Sequence, residues 1–289
     1  MVELKLLRYG EVGVERPALL DAEGRIRDLS KVISDLSPGN LGDETLNRLR
    51  TLDISALPVI DASVRIGPCI GSVGKFICVG LNYRDHADET GAAYPVEPIL
   101  FMKATSSIQG PNDEVWIPRG SVKTDWEVEL GVVIGKRAKY VTMDKALSHV
   151  AGYCVINDLS EREYQLERGG QWDKGKGCDT FGPIGPYLAT RDEIPDPQDL
   201  QLWLEVDGKR YQDGTTGNMI FGVTQLISYI SGFMTLDPGD IISTGTPAGV
   251  GLGQLPPVYL RTGQTIQLGI EGLGVQMQRV VSDPYGVTF

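Results

Sequence analysis

The chain has 289 residues, 41% hydrophobic and 22% charged, which is enough to bury a large core in one main domain plus a smaller lobe. No apolar run approaches the roughly 20 residues needed to span a bilayer, and a formal net charge of −11 argues against non-specific nucleic-acid binding. The same charge would repel an anionic substrate unless local cations or a bound metal offset it.

In chain order, the opening "MVELKLLRYGEV" has no basic-then-apolar signal pattern, so a cytoplasmic, unanchored protein with no membrane partner is expected. "LKLLRYG" and "RPALLDAEG" suggest a hairpin, and "GRIRDLSKVI" is read as returning the chain into a short helix. A helix-like stretch, "SPGNLGDETLNRLRTLD", and the turn-rich "VRIGPCIGSVGK" follow, and a boundary is expected near residue 70. Residues 1–70 then form a small N-terminal α/β lobe and 71–289 the main domain.

Beyond 70 the pattern is mostly β. "KFICVGLNY", "EPILFMKAT", "EVELGVVIG", "VAGYCVINDLS", "LQLWLEVDGKRY", "DIISTGT" and "QTIQLGIEGLGVQMQRVV" are strand-like. Two helices are expected, "TMDKALSHV" with a Thr cap and "GVTQLISYISGFM" with a helical apolar period. Regular β-α-β alternation is missing, so an α+β architecture with a rolled or barrel-like sheet fits better than a doubly wound one. Cys69, Cys78, Cys154 and Cys178 lack C-x-x-C spacing and are expected as reduced, mostly buried thiols.

"TDWEVELGVVIG", residues 124–135, reads as one strand with Asp125, Glu127 and Glu129 on one face and Trp126, Val128 and Leu130 on the other. Its continuation looks buried on both faces, and stacked like charges repel unless something neutralises them. Glu127 and Glu129 could share one divalent ion, with Asp158 of "CVINDLSERE" supplying a third oxygen from a neighbouring strand. A solvated acidic face is the plainer alternative. In "GLNYRDHADETG", one helical turn would set His86 beside Glu89, suiting the imidazole to activate water. A polar loop is again the plainer reading, and His149, in a periodic helix, is taken as structural.

If "DLSEREYQ" is helical, Arg162 and Gln165 fall on the face of Asp158, where they could grip a substrate carboxylate; Lys176 could reach the same place. Other signals fail. "GVGLG" near residue 250 is followed by "QLPPVYL" rather than a helix, "GSVGKF" lacks phosphate-loop spacing, and no G-x-S-x-G elbow occurs.

Together "NYRDH", "DWEVELGVVIG", "VINDLSERE", "QWDKGKGCDTFGPIGP", "QDGTTGNMIF" and "GDIISTGTPAGVG" resemble the fumarylacetoacetate hydrolase superfamily, from about residue 75 to 281. The resemblance implies a mixed β-sandwich roll, a homodimer, and a Mg²⁺ or Mn²⁺ site held by Glu127, Glu129 and Asp158. It implies a water-activating dyad of His86 and Glu89. Arg162, Gln165 and Lys176 would contact the keto-acid end of the substrate, and Lys103 and Thr246 would line the pocket. One departure is "QWDKGKG", with Asp173 and Lys174 where relatives often carry an aromatic or hydroxyl residue and Arg, so Lys174 stands as an alternative to Lys176. The N-terminal lobe looks most like members acting on sugar acids, including 2,4-diketo-3-deoxy-L-rhamnonate hydrolases.

The expected chemistry is hydrolysis of a C–C bond in a small anionic 2,4-diketo acid, with release of pyruvate. An oxaloacetate-type decarboxylase or keto-acid tautomerase would use the same metal-enolate site, and a non-catalytic ligand-binding member is the rival of another class. The reading requires Glu127, Glu129 and Asp158 to converge, with no lysine already filling the gap between them.

Overall fold

The computed structural model describes residues 4–285, so Met1–Glu3 of the opening segment lie outside the described residues. The strands run β1 (Lys5–Tyr9), β2 (Arg16–Leu20), β3 (Ile26–Asp28), β4 (Val59–Ile60), β5 (Phe76–Gly80) and β6 (Ile99–Lys103). Next come β7 (Ile108–Gln109), β8 (Val115–Ile117), β9 (Thr124–Asp125), β10 (Val128–Ile134), β11 (Val150–Asn157) and β12 (Ser160–Glu161). The last six are β13 (Gly182–Thr190), β14 (Gln201–Val206), β15 (Lys209–Thr215), β16 (Ile241–Ser243), β17 (Thr265–Ile270) and β18 (Gly274–Ser282). Among the described residues six α-helices are interspersed: α1 (Asp43–Arg50), α2 (Arg84–Thr90), α3 (Met143–Ala146), α4 (Arg162–Leu166), α5 (Asp173–Lys176) and α6 (Val223–Phe233).

Two mixed sheets carry the fold, as the α+β reading expects. The larger has the order β4-β3-β2-β1-β13-β11-β10-β16-β5-β6, with β7 parallel to β13. The smaller has the order β15-β14-β17-β18-β8. Turn chemistry sets its hairpins: Asp207 and Gly208, both with positive φ, join β14 to β15, and Gly272 and Gly274 help reverse the chain between β17 and β18.

Strand β10 explains why "LGVVIG" is apolar throughout. Leu130, Val132 and Ile134 enter one core with Leu202, Leu204 and Leu268 of the small sheet. Val133, on the opposite face, enters a second core with Leu6, Leu46, Leu49 and Phe76. That second core draws on the first 50 residues, whose strands are continuous with the large sheet through the β1–β13 pairing.

The β1–β2 hairpin forms as expected, with Lys5 opposite Leu20. "GRIRDLSKVI" does not form a helix: Ile26–Asp28 is a strand paired with β2, because Ile26 is needed in a small core with Leu7 and Ala18. Thr142 precedes α3 but makes no side-chain cap bond, and the helix gives way to a 3-10 turn at Leu147–His149. Among the described residues no helix is long and apolar enough to cross a membrane.

Candidate active site

The acidic stretch is not one strand. Thr124–Asp125 pairs with Ser160–Glu161, Trp126 and Glu127 lie in a break, and pairing with β11 starts at Val128. Asn157 bridges the break, its Oδ1 accepting from Glu127 N at 3.3 Å, while Asp158 N donates to Glu127 O at 2.9 Å. Those two bonds set Glu127 and Asp158 side by side. Trp126, Val128 and Leu130 are all fully buried in the first core, as the alternation expects.

Glu127, Glu129 and Asp158 each offer one carboxylate oxygen, and these oxygens all lie within 4.8 Å of one another. Burial alone would raise the Glu127 carboxyl, but Lys176 and Arg162 outweigh it and hold it well below the usual carboxylate range. Glu129 is different. Burial, then the charges of Asp158 and Glu127, push it well above the usual range. Its Oε2 accepts from Ser243 Oγ at 2.5 Å and from Gly245 N at 2.8 Å, and no hydrogen bond within the described residues reaches Oε1. Gly245 has φ +96°, a conformation that lets its N–H face the carboxylate and that a side chain would strain.

Lys176 stands in the gap. Its Nζ lies 2.7 Å from Glu127 Oε2 and 2.7 Å from Asp158 Oδ2, contrary to the requirement that no lysine fill the space. The requirement was too strict, because this lysine compensates only two of the three carboxylates. Four buried carboxyl groups (Asp125, Glu127, Glu129, Asp158) face three cations (Arg162, Lys176, Lys103), and Glu129 is the one with no ion pair among the described residues. Each carboxylate oxygen also has two lone-pair directions, so a pairing with lysine does not exhaust it. A donor set of oxygens alone, with one more carboxyl group than cations, fits a hard divalent cation such as Mg²⁺ or Mn²⁺ rather than a metal that prefers nitrogen or sulfur.

Arg162 reaches the cluster differently from the expectation. Residues 158–165 are not one helix. Ser160–Glu161 is extended, Glu161 caps α4 by accepting from Tyr164 N, and Arg162 opens the helix. Its Nε donates to Asp125 Oδ2 at 2.8 Å and its Nη1 to Gln165 Oε1 at 3.0 Å. Nη2 lies 2.8 Å from Asp125 Oδ2 and 2.7 Å from Glu127 Oε1, so the guanidinium is ion-paired to both carboxylates. Gln165 Nε2 makes no hydrogen bond within the described residues. Asp125 thus leaves the acidic row to serve as an anchor, since it also accepts from Gly251 N and Leu252 N.

Helix α2 forms over the expected turn and sets His86 Nδ1 3.4 Å from Glu89 Oε2, both side chains mostly buried. Glu89 is fixed by Gly249 N, which lies 3.0 Å from Oε1. The "GVGLG" loop therefore presents its N–H groups to Glu89 and Asp125, carboxylates of the protein itself.

A cavity of about 130 Å³ connects these parts, lined by His86, Glu127, Glu129, Arg162, Gln165, Lys176 and Thr246 among others. Lys174 is not part of it; its Nζ donates to Arg168 O on the outside. Lys103 is not on the wall either: fully buried, it is ion-paired to Asp158, which lies behind the wall against Glu127, Glu129 and Lys176. Thr246 lines the cavity with a committed hydroxyl, donating to Val128 O and accepting from Gln212 Nε2. His149 lies away, its Nδ1 against the Lys136 and Arg137 carbonyls. Residues missed in the sequence are Ser243, Asn157 and the aromatic pair Phe101 and Trp172, the last two also on the cavity wall. Ser243 and Asn157 each end an apolar strand, the same signal that marked Asp158.

Comparison with known proteins shows the family. The family profile described as fumarylacetoacetate (FAA) hydrolase C-terminal matches residues 75–281. A Burkholderia cenocepacia (strain HI2424) protein, whose name gives hydrolase only as a provisional assignment, is 64% identical over 277 residues, 96% of this chain and 98% of its own. The structure of fumarylacetoacetate hydrolase from Exiguobacterium antarcticum is 36% identical with a TM-score of 0.86, covering 97% of this chain and 100% of its own. That of 2-hydroxyhepta-2,4-diene-1,7-dioate isomerase from Mycobacterium marinum is 31% identical with a TM-score of 0.75, covering 97% and 99%.

Proposed function

Because the chain belongs to the fumarylacetoacetate hydrolase family, we propose that it is a divalent-metal-dependent hydrolase of 2,4-diketo acids, cleaving C3–C4 and releasing pyruvate. The observation that carries this reading is the convergence of three carboxylate oxygens within 4.8 Å beside the His86–Glu89 pair. Glu127, Glu129 and Asp158 would hold Mg²⁺ or Mn²⁺, which when bound supplies Lewis-acid polarisation of the 2-keto group.

The chain's own residues do the rest. Glu89 orients His86 through Nδ1, and the other ring nitrogen takes a proton from the water that attacks C4. The water oxygen bonds to C4 as the C4 carbonyl opens. On collapse the C3–C4 bond breaks, its electron pair passes to C3 and spreads onto the 2-keto oxygen, and Lys176 adds positive charge there. The proton held by His86 returns to C3, giving pyruvate and a carboxylic acid. The open amide N–H of Gln165 would take the substrate carboxylate, beside the positive charge of Arg162. A small anionic keto acid as substrate, a homodimer, a cytoplasmic site of action and no nucleic-acid or membrane partner complete the proposal.

Coupled detection of pyruvate from an acylpyruvate with Mg²⁺ tests it. Release that stops on chelation is expected, and release indifferent to a chelator would refute the metal dependence. A second reading, keto-acid tautomerisation or isomerisation, is favoured by the resemblance to the M. marinum isomerase. Decarboxylation of oxaloacetate would use the same site. Neither needs an attacking water, so the His86–Glu89 pair favours hydrolysis, and analysis of products from an acylpyruvate and from oxaloacetate separates the three.

A further inference from the structure

The cavity wall holds two kinds of residue. Its charged and polar groups are His86, Glu127, Glu129, Arg162, Gln165 and Lys176. The same wall includes Leu81, Phe101, Leu166, Trp172 and Leu252, with the Phe101 and Trp172 rings in contact. The space they enclose is about 130 Å³. On the hydrolase reading the charged groups would take the keto-acid end of the substrate, which leaves the apolar residues for whatever lies beyond C4.

The rest of the wall has few hydrogen bonds left to offer. Thr90 Oγ1 is directed to the His86 and Ala87 carbonyls, and Thr246 Oγ1 already donates and accepts within the protein. A hydroxylated chain placed there would give up water without replacement partners.

Trp172 is the fixed part of this wall. Its ring meets Phe101 edge-on with centroids 5.4 Å apart. It packs on the bare backbone of Gly80, where an added Cβ would fall 2.4 Å from Cζ3. The Trp172 carbonyl accepts from Gly175 N and Lys176 N, so the ring and the lysine at the acidic cluster are set by one helical turn. Phe101 ties them again, with Lys176 Nζ 5.1 Å from its ring centroid. The distance from the charged end to the apolar wall is therefore built into a single short helix.

Resting on the hydrolase reading, we propose that the acyl group beyond C4 is short and apolar rather than a sugar-derived polyol, and that Trp172 is the specificity-determining residue for its length. The test is a kcat/KM series for pyruvate release with Mg²⁺. It compares 2,4-dioxopentanoate, 2,4-dioxodecanoate, 5-methyl-2,4-dioxoheptanoate and the isosteric 5,6-dihydroxy-2,4-dioxohexanoate.

The branched alkyl substrate should exceed its dihydroxy isostere by about tenfold to a hundredfold. Trp172→Ala should raise the dioxodecanoate-to-dioxopentanoate ratio by roughly tenfold, and Trp172→Phe should raise it less. A ratio within one enzyme is independent of how much of a variant is folded, and Leu252→Ala should move it the same way. A preference for the dihydroxy substrate, or a ratio unmoved in all three variants, would overturn the inference while leaving the hydrolase reading intact. Absence of pyruvate from every substrate would overturn both.

Discussion

Two charged clusters in this molecule have the same imbalance and opposite surroundings. Beside the N-terminal strands, Arg8 and Arg65 face Glu15, Asp35 and Asp113. At the acidic centre, Arg162, Lys176 and Lys103 face Asp125, Glu127, Asp158 and the unpaired Glu129. Each carries one more carboxyl group than cations. In the first, the side chains of Asp35, Arg65 and Asp113 are each about a quarter exposed, and water takes up the difference. In the second, all seven are buried, and burial with the charges of Asp158 and Glu127 pushes the Glu129 carboxyl well above the usual range. The larger cavity, about 840 Å³, adjoins the first cluster, and the proposed active site is at the smaller one. On that proposal, a buried carboxyl without an ion pair marks the site better than volume does.

Removing a cation from each cluster should sharpen the contrast. Lys176→Met leaves Glu127 and Asp158 buried without their shared partner and should cost about 3–5 kcal/mol in urea denaturation with a chelator present. Mg²⁺ should restore part of that loss; a cost under about 1 kcal/mol would mean the centre is wetter than its burial implies. His86→Ala should lower kcat by roughly 10²–10⁴-fold while the Mg²⁺-induced rise in melting temperature persists. Unchanged turnover would remove His86 from the chemistry. Gly80→Ala should cost about 1–3 kcal/mol by displacing the Trp172 ring, and an unperturbed tryptophan emission would contradict the packing described. Arg65→Met should cost least, about 1–2 kcal/mol, because water reaches Asp113 in its place.

Much of this was legible in the sequence wherever local pattern governs geometry. The two-residue period of "DWEVEL" sends Trp126, Val128 and Leu130 into one core, and the three-residue spacing of His86 and Glu89 becomes a contact on α2. What could not be read depended on partners distant in the chain. Asp125 belongs to the acidic row by period, yet Arg162 and the N–H groups of the 249–253 loop claim it. The break at Trp126–Glu127 follows from Asn157 bonding the backbone, which no periodicity signals. Lys176 was expected near the substrate, but its place between Glu127 and Asp158 depends on how α5 packs against β12 and β6. Lys103 fell outside the cavity for a similar reason: it alternates into the sheet interior and ends on Asp158.

The most direct measurement is a titration with Mg²⁺, followed by calorimetry and by melting temperature, of the native chain and of Glu127→Gln and Glu129→Gln. One saturable site is expected in the native chain, adding about 2.7 kcal/mol of stability when free metal reaches a hundred times Kd. Both variants should lose it. A melting shift with Mg²⁺ that is the same in all three proteins would contradict a metal held by these carboxylates.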